Sequence, residues 1–327
     1  MNDASILVVI VNYRTPDMVL QCLQSLAEER ETCPNLRVHV LDNASGDGSA
    51  ETMQAGVDAE QWGSWTRITA SDRNPGFGAG NNTVLREDLA TQAPSDYYFI
   101  LNPDTAVRPG IFEALLRFFE EHPRASILGP RTESDPGTAD HTAFRFPGLA
   151  NSLSDGLRFG PLDRLFAKWI TAPTPRDEAH LSDWVSGGGM FLRRKVLEEI
   201  GLFDEGFFLY FEETDLCRRA AKVGFHTWYV PEAVMMHWAG ASTGVATDGR
   251  PRKRMPGWWF ASRRLYLNNF HNLAYVALCD WAFVLGRSLW QLRAWITRTT
   301  PTDPPHFLWD FVRYNLFGQR WDRRENP

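Results

Sequence analysis

The sequence predicts an α/β protein with a mostly parallel central sheet flanked by helices. Apolar runs at Ile6–Val11, Val38–Leu41 and Tyr97–Leu101 alternate with segments of helical periodicity. The intervening segments have crossover length, which parallel strands require. Tyr97–Leu101 carries five apolar or aromatic residues in succession, a strand buried on both faces, and the chain then turns sharply at Asn102-Pro103. Asp104 is thereby delivered to the carboxyl end of a central strand, where open α/β sheets place their ligands.

Taken in order, Ile6–Val11 is a β-branched strand ending in Asn12-Tyr13-Arg14. Thr15-Pro16 reads as N-cap and first helical residue, with Val19, Leu23 and Leu26 recurring on one face. Val38–Leu41 ends at D-N-A-S-G-D-G-S, and a short helix and a weaker strand at Thr66–Thr69 lead to N-P-G-F-G-A-G-N-N, residues 74–82. The next helix is expected after that run and ends before Pro94. Pro109 opens a helix containing Ile111 and Leu115, and Ile127–Leu128 is a brief strand. Residues 131–182 read as a loop-rich insertion with short helices, because prolines and glycines break the periodicity. Order returns at V-S-G-G-G-M-F-L, followed by a helix Arg193–Ile200, a strand-like aromatic run Gly206–Phe211, a helix Thr214–Val223, and short strands His226–Val230 and Val234–His237. The expected organisation is one large domain over 1–245, its two halves (about 1–130 and about 183–245) separated by the insertion, then a basic linker and an aromatic-rich helical region over 246–327.

Composition bounds the function. The 327 residues are 43% hydrophobic and 23% charged, enough for a sizeable core and incompatible with wholesale disorder. A net charge of −6 argues against a nucleic-acid partner. Four scattered cysteines without a C-x-x-C point to a reducing, cytoplasmic setting, and the first apolar run is too short for a signal peptide.

Several groups carry candidate chemistry. Asp42 and Asn43, beside Ser45 and Asp47, can accept from a base or from ribose hydroxyls, or can close an Asx turn. The glycine-rich run with Asn74, Gly76 and Asn81 allows a nucleotide close to the backbone, or simply a tight turn. It is neither a dinucleotide fingerprint nor a Walker A loop. Asp104 and His237 form a carboxylate–imidazole pair suited to Mg²⁺ or Mn²⁺ when diphosphate oxygens complete the shell. Glu212, Glu213 and Asp215 place three acids at a helix N-terminus, more than capping needs, so one can serve as a general base.

Together these segments resemble the family-2 inverting glycosyltransferases of the GT-A fold, closest to the bacterial rhamnosyltransferase-like branch. The resemblance rests on V-V-I-V-N-Y-R-T, L-D-N-A-S-x-D-G-S, N-P-G-F-G-A-G-N-N, F-I-L-N-P-D-T, S-G-G-G-M-F-L-R-R, F-D-E-G-F-F-L-Y-F-E-E-T-D-L-C-R-R-A and H-W-A-G-A-S, in order, across residues 5–245. It implies that Asp42 reads the base, that Asn12 and Tyr13 line the nucleotide pocket, and that Asn74 and Asn81 face the nucleotide-sugar. Asn102 replaces the first aspartate of the family's D-x-D, leaving Asp104 and His237 as metal ligands. Glu213 stands where the family has its general-base aspartate, with Asp215 the second candidate. Gly187, Gly188 and Gly189, with Glu212, lie at the sugar and acceptor, so that about 1–130 is the implied nucleotide half and about 183–245 the acceptor half.

The implied activity is inverting transfer of a deoxyhexose, L-rhamnose first, from a nucleoside diphosphate to a hydroxyl of a glycan or lipid-linked acceptor. The alternatives are another sugar, such as galactofuranose, galactose or an N-acetylhexosamine, and a non-catalytic sugar-nucleotide-binding scaffold. The resemblance stops at Gly257. Beyond it, Trp258, Trp259, Phe260, Trp281, Phe283, Leu285, Trp290, Leu292 and Trp295 among arginines suit the cytoplasmic face of a membrane, helices closing over the catalytic domain, or a homodimer seam. Leu273–Gly286 is expected to be too short to span a bilayer.

Overall fold

The computed structural model describes residues 4–157, 167–238, 253–299 and 303–319. In chain order the elements are β1 (Ile6–Asn12), α1 (Pro16–Glu29), β2 (Leu36–Asp42), α2 (Ser49–Ala59), β3 (Thr66–Ala70), α3 (Phe77–Leu89), β4 (Tyr97–Leu101), β5 (Thr105–Val107), α4 (Ile111–Glu121), β6 (Ala125–Asp135), β7 (Thr138–Ala139), β8 (Ala143–Phe144), α5 (Leu149–Leu157), β9 (His180–Ser182), β10 (Trp184–Val185), β11 (Gly189–Arg193), α6 (Arg194–Ile200), α7 (Glu212–Lys222), β12 (His226–His237), α8 (Gly257–Phe270), α9 (Leu273–Thr297) and α10 (Phe307–Phe311).

The main sheet has the order β3-β2-β1-β4-β11-β6-β12-β5. Its first four strands are parallel, and β6 and β12 are parallel to each other. Between these groups β11 runs antiparallel to both β4 and β6. β1 and β4 are almost wholly buried because helices cover both faces, so their sequences read as continuous apolar runs rather than alternating ones. One core packs α1, α2 and α4 on one face, and the other sets Val84, Leu85, Val196, Leu197 and Leu216 against the opposite face.

Several expected boundaries move. The helix placed after the glycine-rich run begins inside it, at Phe77. The brief strand at Ile127–Leu128 is the centre of an 11-residue strand that enters the supposed loop-rich insertion, which also holds β7, β8 and β9. The two short strands around Pro231 are one strand, β12, with a register shift between Val230 and Val234 that accommodates the proline. The aromatic run Phe207–Phe211 is a turn, with Tyr210 and Phe211 both left-handed at φ 64° and 71°.

The C-terminal helices pack onto this turn. Phe207 lies in a cluster with Tyr266, Leu267, Val276 and Cys279. Trp258 and Phe260, expected to meet a surface, are 5% and 0% exposed, and Trp290 is also buried. Helix α9 runs 25 residues, so the apolar element is longer than Leu273–Gly286 and, by length and composition alone, long enough to cross a bilayer. Its inner face, however, packs against α5 and carries buried Asp280, which pairs with Arg263 at 2.6 Å, and buried Arg287, which pairs with Asp303 at 3.2 Å. Its outer face exposes Leu278, Trp281, Leu285, Leu289, Leu292 and Trp295. The basic segment 239–252 lies outside the described residues.

Candidate active site

The parallel strands end together. Asn12 closes β1 beside Asp42, its register partner at the end of β2. The Asn12 amide donates to Asp42 Oδ1 at 2.7 Å, the Ser45 hydroxyl to the same oxygen at 2.5 Å, and the Ser45 N–H to Asp42 Oδ2 at 3.1 Å. Ser45 Oγ also accepts from the Arg14 N–H at 2.8 Å. Asp42 is therefore a fixed acceptor with an Asx turn built around it, so the two readings of D-N-A-S are parts of one arrangement. Ser45 holds Asn12, Arg14 and Asp42 in place. Its position three residues after Asp42 is the signal that could have singled it out. Tyr13 follows directly, with the Arg14 guanidinium 4.9 Å from its ring centroid.

Asn43 ties this corner to the glycine-rich segment, donating to Asn74 Oδ1 at 2.9 Å and to the Gly76 carbonyl at 3.2 Å. Gly76 has φ 103°, and a Cβ there would come within 2.2 Å of the Phe208 carbonyl. That carbonyl accepts from Phe77 N–H at 2.9 Å. The glycine is required because the turn before α7 passes over it. Asn82 reinforces the contact, exchanging hydrogen bonds with Phe203 at 2.8 and 3.0 Å. Asn81 donates to Phe77 O at 2.9 Å, and its buried Oδ1 has no partner among the described residues.

At the end of β4, Asn102 N–H donates to the Gly188 carbonyl at 3.1 Å. His237, the last residue of β12, lies opposite Thr105 in register, which brings its Nε2 to 3.4 Å from Asp104 Oδ1 and 3.4 Å from Asn102 Nδ2. Asp104 is buried. A Cβ on Gly188 would meet His237 Cε1 at 2.9 Å, and one on Gly189 would meet Met235 Cε at 2.5 Å. The glycines of the S-G-G-G run thus make room for the imidazole and its strand. Among the described residues no group of three His, Cys, Asp or Glu side chains gathers around a common point. The protein offers one hard oxygen and one imidazole, a donor set that fits a divalent ion only when substrate oxygens supply the remaining positions.

Across Gly187 stand the acids of α7. Glu212 and Glu213 are 2% and 8% exposed, and one carboxylate oxygen of each is buried without a hydrogen-bond partner among the described residues. Burial pushes the Glu213 carboxyl up to about 7 against several backbone N–H donors, that of Gly187 among them. Burial, with Glu213 beside it, raises Glu212 well above the usual carboxylate range. Asp215 differs. Arg219 donates to it at 2.7 Å and Asn269 at 3.2 Å, so both of its oxygens are engaged in holding α7 to the neighbouring chain. The sequence brings all three acids to one helix N-terminus, and the structure separates them by environment.

Residues 3–255 match the model of the glycosyltransferase-like family 2. The chain belongs to this family, and it is a glycosyltransferase. It is 30% identical over 266 residues to N-acetylglucosaminyl-diphospho-decaprenol L-rhamnosyltransferase of Mycobacterium tuberculosis, covering 73% of this chain and 81% of that protein. It is 24% identical over 237 residues to rhamnosyltransferase WbbL of Escherichia coli, covering 71% and 83%. Among solved structures, a mannosyltransferase from Pyrobaculum calidifontis in complex with GDP-Man and Mn²⁺ superposes with a TM-score of 0.60 at 13% identity, covering 96% of this chain and 88% of that one. GalNAc-T7 with UDP, GalNAc and Mn²⁺ gives 0.56 at 12% identity, covering 90% and 57%. These likenesses show the expected GT-A fold with a helical C-terminal region.

The Glu213 environment has a stability consequence. The folded chain holds this proton up to about pH 7, whereas an ordinary glutamic acid releases it near 4.5. The resulting contribution to stability is full below pH 4.5 and is lost as pH rises through 7. Glu213→Gln, which cannot ionise, is expected to gain melting temperature relative to wild type between pH 4.5 and 7.5 and to level off above. Thermal melts across that range check this, and a pH-independent difference refutes it.

Proposed function

We propose that this glycosyltransferase transfers L-rhamnose, with inversion, from a nucleoside diphosphate to a hydroxyl of a glycan or lipid-linked acceptor used in cell-surface polysaccharide synthesis. The observation that carries the reading is the convergence at one sheet edge of the Asp104–His237 pair and, across Gly187 and Gly188, of buried Glu213 with an unpartnered oxygen. The rhamnose assignment is supported by the two relatives named as rhamnosyltransferases.

In this reading Asp42, Asn12 and Tyr13 receive the nucleoside, and Asn43, Asn74, Gly76 and Asn81 shape the loop beside the sugar-diphosphate. Asp104 and His237, with Asn102 beside them, are the residues that would hold a Mg²⁺ or Mn²⁺ ion. The ion, when bound, neutralises charge on the leaving group. Glu213 takes the proton from the acceptor hydroxyl as that oxygen attacks the anomeric carbon, and a single displacement inverts the centre. A base near pKa 7 is matched to this task at neutral pH. Asp215, held by Arg219 and Asn269, positions α7, and Glu212 supports the wall behind the glycine-rich helix.

Kinetics and binding test the roles. With dTDP-L-rhamnose as donor, Glu213→Gln should keep donor affinity and lose at least about 10²-fold in kcat, the scale of general-base catalysis. An active Glu213→Gln with a dead Asp215→Asn reverses the assignment, and preference for UDP-galactose, UDP-galactofuranose or UDP-N-acetylglucosamine overturns the donor. Asp104→Ala should abolish metal-dependent donor binding while leaving the melt of the metal-free protein close to wild type. Full turnover in excess chelator overturns the metal role.

The exposed face of α9 supports peripheral docking on the cytoplasmic side of a membrane. Leu278, Trp281, Leu285, Leu289, Leu292 and Trp295 recur at helical spacing and leave one long apolar stripe uncovered. The mycobacterial relative's name places its acceptor on a polyprenol. Replacing Trp281, Leu285, Leu292 and Trp295 with Ser should release the protein from sedimenting anionic vesicles. Wild type that ignores the vesicles but sediments as a dimer in the ultracentrifuge assigns the stripe to a homodimer instead.

A further inference from the structure

Glu213 does not open onto bulk solvent alone. With Thr214, Tyr210 and Phe211 it lines a cavity of ≈ 600 Å³ whose other walls come from α5, residues 170–172 and the C-terminal helices. No segment of the resemblance reaches α5 or α8–α10. We propose that this cavity is the acceptor chamber and that it takes an uncharged hexopyranose, the terminal sugar of the acceptor, while any anionic linkage stays outside. The inference rests on Glu213 being the base.

Three properties of the wall argue for a sugar. Its volume falls within the range of roughly 300–1,000 Å³ found for small-molecule sites. Aromatic rings from separate elements, Trp184, Phe211 and Trp259, supply apolar faces on which the C–H face of a pyranose can lie. Between them Ser152, Ser154, Asp155 and Thr171 present short polar groups suited to hydroxyls. Trp184 is held by its indole N–H on the Arg145 carbonyl at 2.9 Å and by stacking on Phe144 at 4.2 Å, and Trp259 by rings of Phe211, Phe260 and Phe307.

The charges argue against a diphosphate in the same place. Two guanidiniums reach the chamber, but Arg263 pairs with Asp280 and Arg287 with Asp303. Asp155 and Glu213 add acidic groups. A phosphate here would meet neutralised cations and two carboxyls, whereas a neutral sugar meets donors and acceptors it can satisfy. The C-terminal helices therefore act in specificity as well as in docking.

The test uses the full chain and octyl N-acetyl-β-D-glucosaminide below its micelle threshold, read by tryptophan fluorescence. Wild type should show saturable quenching that inorganic pyrophosphate does not displace. Ala172→Phe, which fills the chamber from a half-buried loop, and Trp259→Leu, which removes a ring face, should each weaken binding at least tenfold while dTDP-rhamnose binding is kept as proof of folding. Absence of saturable quenching, displacement by pyrophosphate, or wild-type titrations in both variants overturns the chamber. Saturable, variant-sensitive binding without transfer from any donor overturns the proposed reaction and keeps the chamber. Transfer with an acceptor KM unchanged in both variants does the opposite.

Discussion

The turn from Phe207 to Phe211 is the constraint on which the rest of the site depends. Two consecutive non-glycine residues in left-handed conformation cost roughly 1–2 kcal/mol each and do not persist unaided. They persist here because the turn is gripped from two sides. Gly76 lets α3 approach until Phe77 N–H bonds the Phe208 carbonyl, and Ser262 of α8 donates to the Leu209 carbonyl at 3.0 Å. Burial of Phe207 and Phe208 contributes about 1.5–3 kcal/mol each, enough to offset the strain. The reward is orientation. The turn ends at the N-terminus of α7 and aims Glu212 and Glu213 inward, so the glycine-rich segment, the acids and the C-terminal helices form one mechanical unit.

Electrostatics then divides three similar residues. A helix N-terminus favours negative charge at each of them, and burial opposes it. Arg219 resolves the conflict for Asp215, which becomes a strut. Among the described residues no cation pairs with Glu212 or Glu213, whose carboxyls are raised together. At the sheet edge the same economy appears in another form. Asp104 meets an imidazole rather than a guanidinium.

How much was legible in the sequence follows from how locally each feature is determined. The parallel strands were readable because burial on both faces leaves unbroken apolar runs. The approach of His237 to Asp104 followed from placing each at the end of a strand. The length of β6 was hidden because its second half, Pro130–Asp135, is polar and contains a proline at which strand signals stop. β12 was split by Pro231, which a bulge tolerates. Phe207–Phe211 looked like a strand because aromatic residues favour strands. Its strained turn is imposed by Gly76 and Ser262, far away in sequence. The wall built by α5 and α8–α10 carried no local signature, since its residues meet only through tertiary packing.

Helix α9 shows how near a packed helix of a folded domain can stand to a membrane span. In length and apolarity it is comparable to segments that cellular insertion machinery accepts, yet it carries Asp280 and Arg287 in its middle. At the centre of a bilayer each such residue costs about 2.5–3.5 kcal/mol on the insertion scale, several times what one leucine returns. Inside the fold the same two charges are matched by Arg263 and Asp303. These two pairs fasten the helix to α8 and to the segment before α10. Two substitutions to leucine would remove both pairs at once and leave a helix whose composition no longer distinguishes a core position from a lipid one.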